Sequence, residues 1–84
     1  MRQIIYARDA LKTLRSIDKA TAKRIQAKVA QYADDPVSLA NQVKRLKGED
    51  RLWRLRVGDW RVIFNEDRVV VHIVRIAPRG SAYD

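Results

Sequence analysis

The chain has 84 residues, with 18 lysines and arginines against 10 acidic residues, a formal charge of +8 and a pI near 10.5. This length makes one domain, residues 1–84, with a single modest core and roughly 35–40% of the unfolded chain's surface still exposed after folding. The absence of cysteine excludes a disulfide framework and a thiolate zinc site, no apolar run reaches the ~20 residues of a membrane span, and the basic balance favours an anionic partner: nucleic acid, anionic membrane or acidic protein.

The opening MRQIIYARD lacks the apolar stretch of a secretory signal, so the default compartment is the cytoplasm. Gln3-Ile4-Ile5-Tyr6 is short and β-branched and predicts a strand, with Ala7-Arg8-Asp9 leading into a helix. The period then changes. Ala10, Leu11, Leu14 and Ile17 recur at helical spacing, with Arg8, Lys12 and Arg15 on the other side. Asp18 can accept a hydrogen bond from the first free amides of a second helix, whose apolar positions Ala22, Ile25, Val29 and Tyr32 follow the same spacing. Proline disfavours helical geometry in the residue before it, so Asp34-Asp35-Pro36 should stop this helix near Ala33. The two helices predict an antiparallel hairpin whose apolar stripes need a surface to cover. Residues 37–50 read as a polar connection containing Lys44-Arg45-Leu46-Lys47-Gly48, with a short strand around Val43 to Leu46.

From Trp53 the period is two. Gly58-Asp59 fits a two-residue type II′ hairpin turn, with glycine at the first central position. That turn pairs Val57 with Trp60, Arg56 with Arg61, Leu55 with Val62, Arg54 with Ile63 and Trp53 with Phe64. One face then carries Trp53, Leu55, Val57, Trp60, Val62 and Phe64, which the helices should cover, and the other carries Arg54, Arg56 and Arg61. Val69 to Ile76 is apolar at nearly every position and predicts a central strand partly covered on both sides. The turn Asn65-Glu66-Asp67-Arg68 can hold two or more loop residues, so the face of Arg75 stays open. Ala77 to Asp84 read as a short irregular tail holding Arg79 and Tyr83, with no further helix.

Placing Arg56 opposite Arg61 costs a few tenths of a kcal/mol or more unless an anion lies between them. The bland alternative is a solvated basic face whose methylenes cover the sheet while the guanidiniums stay wet. Arginine is favoured over lysine where phosphate is gripped by two parallel hydrogen bonds, which points to an RNA or DNA backbone. Membrane binding ranks low because the cations lie on a sheet, not on an amphipathic helix. His72, inside an apolar strand, reads as a hydrogen-bonded core or edge histidine, and Trp53 and Trp60 read as core. With no histidine pair and no acidic metal cluster, the usual ribonuclease and two-metal schemes find no support, and no cofactor is implied.

The stretches LKGEDRLWRLRVGDWRVIF and VVVHIVRIAPRGSAYD, following a strand and a helical hairpin, resemble the RelE side of the RelE/ParE superfamily of bacterial type II toxins. The resemblance runs over essentially the whole chain and is most specific at Leu46-Lys47-Gly48, at the hairpin from Trp53 to Val62, and at the closing Arg79 to Tyr83. It agrees with an α+β fold: a small antiparallel, mixed-edge sheet with an N-terminal helical hairpin on one face and a basic concave face opposite. It implies a metal-independent endonuclease that cuts messenger RNA on translating ribosomes, and a cognate antitoxin whose acidic or amphipathic segment covers the basic face.

By the same resemblance the catalytic positions are Arg54 and Arg56 on the third strand, Arg61 after the turn, Arg79 and Tyr83. Lys44, Arg45, Lys47 and Arg75 would contact RNA or the ribosome. The family's usual ending, Gly-His-Arg-Arg-Asp-Val-Tyr, reads here Ala77-Pro78-Arg79-Gly80-Ser81-Ala82-Tyr83; Pro78 stands at the histidine position, so members that use that histidine are a poor guide. Two other classes stay open: a ParE-like inhibitor of DNA gyrase without nuclease chemistry, and a catalytically inactive homologue that binds its antitoxin.

Overall fold

In the computed structural model, which describes residues 1–48 and 51–80, the chain runs β1 (Gln3–Tyr6), α1 (Arg8–Ser16), α2 (Lys19–Asp34), a 3-10 segment (Pro36–Gln42), β2 (Val43–Arg45), β3 (Trp53–Val57), β4 (Trp60–Glu66) and β5 (Val70–Pro78). The five strands form one sheet in the order β1-β5-β4-β3-β2. β1 runs parallel to β5 and the remaining neighbours are antiparallel. This is the α+β fold with a mixed edge that the sequence predicts, and β5 takes the interior position its apolar run requires.

Asp18 starts α2 as expected: one carboxylate oxygen accepts from the Thr21 amide at 2.9 Å and the other from the Thr21 hydroxyl at 2.7 Å. The hydroxyl and then the amide of Thr21 hold the Asp18 carboxyl below its ordinary pKa. The helix ends at Asp34, one residue past the expected stop. Ala10 and Leu14 of α1 and Ile25, Val29, Tyr32 and Ala33 of α2 pack against Leu55, Val57, Val62, Phe64, Val71, Ile73 and Ile76 of the sheet, with Trp53 and Trp60 partly buried beside them. Each fully buried side chain of this size contributes about 1.5–3 kcal/mol relative to exposure.

The polar connection expected after α2 carries the short strand expected near its end, as β2, but its first part is helical. Pro36 occupies the first turn of the 3-10 segment, a position that needs no amide donor, and the turn delivers Leu39 into the core. A lone leucine among polar residues has no period to reveal it.

The β3–β4 hairpin has the predicted register, from Val57↔Trp60 to Trp53↔Phe64. Gly58 has φ +58°, and Asp59 is not among the positive-φ residues, as a type II′ turn demands. A Cβ at Gly58 would lie 2.7 Å from Nη2 of Arg24, whose side chain reaches from α2 to the turn. The arginine tip could swing away; the backbone angle could not relax so cheaply.

β4 passes to β5 through a turn organised by Asp67, whose Oδ1 accepts from the Val69 and Val70 amides at 2.7 and 2.8 Å. These bonds, Val70 first, hold its carboxyl below the ordinary value. Further along, Phe64 pairs with Ile73 while Ile63 pairs with Arg75, leaving Val74 as the extra residue of a β-bulge. The bulge lets Ile73 and Ile76 both join the core and sends Arg75 to the opposite side, settling the face that alternation left open.

A polar cluster closes the other end of the sheet. Arg2 forms an ion pair with Glu66, the Tyr32 hydroxyl donates to the second Glu66 oxygen at 2.6 Å, and the Arg2 guanidinium lies 5.3 Å from the Tyr32 ring centre. Burial, and then the bond to the Glu66 carboxylate, pushes the Tyr32 hydroxyl up to about 12.

Candidate nucleic-acid interface

The side of the sheet turned away from the helices carries side chains in cross-strand rows. The row nearest the hairpin turn is Arg56, Arg61 and Ala77; the next is Lys44, Arg54, Ile63 and Arg75, crossing four strands. Successive rows on one face are separated by roughly 6.5–7 Å. Arg79 follows β5 and its amide donates to the Asp59 carbonyl at 2.7 Å, so its backbone lies against the same turn. Five cationic side chains of β2–β5, with Arg79 beside them, thus gather on one side of four strands. Their order is set by the type II′ turn, by strict alternation in β3 and β4, and by the bulge in β5.

Arg56 and Arg61 face each other as the turn requires, but their surroundings are not equivalent. Arg56 is exposed. Arg61 is 6% exposed, and its Nη1 donates to the Gly58 carbonyl at 3.0 Å and the Trp60 carbonyl at 3.2 Å. This corrects the picture of a wet guanidinium. Alternation gives the side on which a residue lies and not its depth, and here the carbonyl dipoles of the turn take up part of the charge that Arg56 would otherwise oppose. The same bonds fix the guanidinium at the end of the hairpin.

Ile63 is also buried on this side, at 1% exposure, and it stands apart from the helix-covered core. Register makes Arg54 and Arg75 its flanking neighbours, the arrangement in which long aliphatic stems shield an apolar residue and leave their charged ends outward.

The expected cluster of Lys44, Arg45 and Lys47 is divided. Lys44 belongs to the second row, whereas Arg45 pairs with Trp53 on the helix side, its guanidinium 5.8 Å from the indole centre. Lys47 is exposed in the turn after β2. Tyr83 lies outside the described residues, as do Ser81, Ala82 and Asp84. His72, expected as a hydrogen-bonded core or edge histidine, is half-buried and points to the arginine side, in a third row with Asn65 and Ile5, where its ring makes no hydrogen bond among the described residues. The hairpin alone could not show this, because the facing of β5 depends on its turn and on the bulge. Among the described residues no helix is long and apolar enough to cross a membrane.

Comparison with known proteins bears directly on this geometry. Residues 4–83 match the family model described as ParE toxin of type II toxin-antitoxin system, parDE. The chain is 30% identical over 77 residues to the RelE1 protein of Methanocaldococcus jannaschii, covering 87% of this chain and 84% of that one. Its fold is similar to that in the archaeal RelE–RelB complex of Pyrococcus horikoshii, with a TM-score of 0.75, 30% identity, and coverage of 96% and 98% of the two chains. The isolated RelE toxin of E. coli shares the fold at a TM-score of 0.76 and 15% identity, covering 98% of this chain and 88% of that one.

Proposed function

Because the chain belongs to the ParE toxin family of type II toxin-antitoxin systems, on the RelE-like side of the RelE/ParE superfamily, we propose that it is a metal-independent endonuclease that cuts messenger RNA on translating ribosomes. The observation that carries this reading is the pair of cation rows beside the hairpin turn, with Arg79 at the same end. A phosphodiester laid along Arg54 and Arg75 would bring its neighbour toward Arg56, Arg61 and Arg79.

The 2′-oxygen attacks the adjacent phosphorus, the bond from phosphorus to the 5′-oxygen breaks, and the products are a 2′,3′-cyclic phosphate and a 5′-hydroxyl. One proton leaves the 2′-hydroxyl and one reaches the departing oxygen. Arg56 and Arg61 neutralise the charge gathering on the phosphorane, and Arg79 faces the leaving oxygen. Tyr83 assists removal of the 2′ proton or stacks on a base. A guanidinium is a poor proton donor or acceptor in water, so the contribution of these arginines is electrostatic. Such a site works slowly on free RNA and depends on the ribosome for orientation, a term worth up to several kcal/mol. Lys44, Arg45 and Lys47 contact the ribosome or the RNA backbone. The partner in the resting state is a cognate antitoxin, the assembly found for the archaeal RelE neighbour, and an acidic or amphipathic segment of it covers the arginine side in the cytoplasm. Salt should weaken that complex steeply.

Primer extension on a messenger RNA, with and without ribosomes, tests the reading. Cuts that require ribosomes and disappear in Arg56→Ala support it; Arg56 is the better probe because Arg61 also braces the turn. An intact transcript with arrested growth would overturn it. The family description as ParE keeps gyrase inhibition as the second reading, which supercoiling assays would detect.

A further inference from the structure

The arginine side changes character one row beyond Arg54, Ile63 and Arg75. There the register places Asn65 of β4, His72 of β5 and Ile5 of β1 side by side. This row holds no lysine, arginine or carboxylate, and it joins an amide, an imidazole and an aliphatic side chain that is 44% exposed. Among the described residues, neither the Asn65 amide nor the His72 ring is engaged in a hydrogen bond, and both are half-buried in the middle of the sheet. Side chains set this way are preorganised by their strands and still have their polar atoms to offer.

We propose that Asn65, His72 and Ile5 form a seat for one unpaired nucleobase of the RNA, with adenine preferred; this rests on the RNA-cleaving reading above. The chemistry follows from the order of the rows. A ribose-phosphate chain held by the cations of the second row carries its bases to one side, and the third row lies roughly 6.5–7 Å away, within reach of a base attached to that chain. An imidazole offers a face on which a base stacks, and Ile5 extends the apolar floor. An asparagine amide can donate and accept at once, which matches N6 and N7 of adenine in a bidentate pair. The cations supply affinity without sequence, and the third row supplies discrimination.

Fluorescence polarisation with the full chain and labelled RNA hexamers separates these roles. The probes are oligo(A), oligo(U) and an abasic ribose-phosphate hexamer. The native chain should bind oligo(A) about 10-fold more tightly than the abasic probe, a stacking-sized difference, with oligo(U) between them. Asn65→Leu and His72→Ala should each bring oligo(A) toward the abasic value and leave abasic binding unchanged. That unchanged value also shows that the variant is folded, and His72→Gln, which keeps a polar group but no stacking ring, gives a second reading should His72→Ala unfold. Equal affinity of the native chain for oligo(A) and the abasic probe, or a variant that weakens both alike, would overturn the base seat alone. Failure of the native chain to bind even the abasic probe would overturn the seat by removing the cation-held chain it depends on, whereas the ribosome-dependent cuts in primer extension decide the RNA reading beneath it separately.

Discussion

Phe64 and Ile63 are neighbours in β4 and each is 1% exposed, yet they are buried by different means. Phe64 lies under the helices, its ring centre 4.9 Å from that of Tyr32. Ile63 lies on the other side, between Arg54 and Arg75 in register and outside the helix-covered core. One side of the sheet is covered by elements that cannot leave without unfolding the molecule. The other is flanked by the charged side chains of Arg54 and Arg75. The same strands therefore carry a helix-covered half that specifies the fold and a half that the cationic rows occupy.

The sharpest way to break this comparison is Phe64→Ala, which should remove about 3–5 kcal/mol of stability in urea unfolding. A loss below 1 kcal/mol would mean that the helix side is not the core. Arg56→Ala should do the reverse: ribosome-dependent cleavage falls by about 10²–10³-fold, while the unfolding free energy moves by no more than ~0.5 kcal/mol. Equal burial by a different cover makes Ile63→Ala informative, since side-chain stems from neighbouring strands can close over the space more cheaply than packed helices can. It should cost about 2 kcal/mol, the low end for such a truncation.

Glu66→Gln probes the cluster at the far end of the sheet and should cost roughly 1–2 kcal/mol, because it weakens charge-assisted bonds to Arg2 and Tyr32. It also has a pH signature. The Tyr32 hydroxyl, ordinarily at 10, is pushed up to about 12 in the folded chain, so its contribution is complete below pH 10 and is lost as pH rises through about 12. The variant should titrate at lower pH in ultraviolet absorbance and lose less stability across that window. The smallest effect belongs to Asp67→Asn. Asp67 and Asp18 are both held below the ordinary 3.8, so their contributions are present above that value and fade as pH falls through the depressed ones. Replacing Asp67 should slightly lower the melting temperature at neutral pH and flatten the acid limb of the stability curve.

The sequence makes some of these features legible because local signals agree. Asp18 and Pro36 bracket α2, and Gly58-Asp59 with unbroken alternation in β3 and β4 gives the register that brings Arg56 to Arg61. Where the signal is not local, reading stops. Leu39 reaches the core through an aperiodic 3-10 turn. Arg75 is assigned to its side only by the extra residue in β5. The partners of Arg2 stand 30 and 64 residues away, beyond any pattern of spacing. Within the candidate site, alternation puts Arg54, Arg56 and Arg61 on one side, but it cannot tell that Arg61 is bound to its own turn, nor that Arg45 leaves Lys44 to stack on Trp53.

The parallel pairing of β1 with β5 has a consequence for biosynthesis. Gln3 finds its partner in Val70, and β5, which lies between β1 and β4, is the last strand of the sheet to leave the ribosome. Until it emerges, β1 has no neighbour, β4 has an open edge, and Ile73 and Ile76 are missing from the core. Synthesis proceeds at about 5–20 residues per second and folding waits on contacts this distant in sequence. A nascent chain therefore cannot assemble the folded toxin until β5 has emerged, however early its first strand and both helices were made.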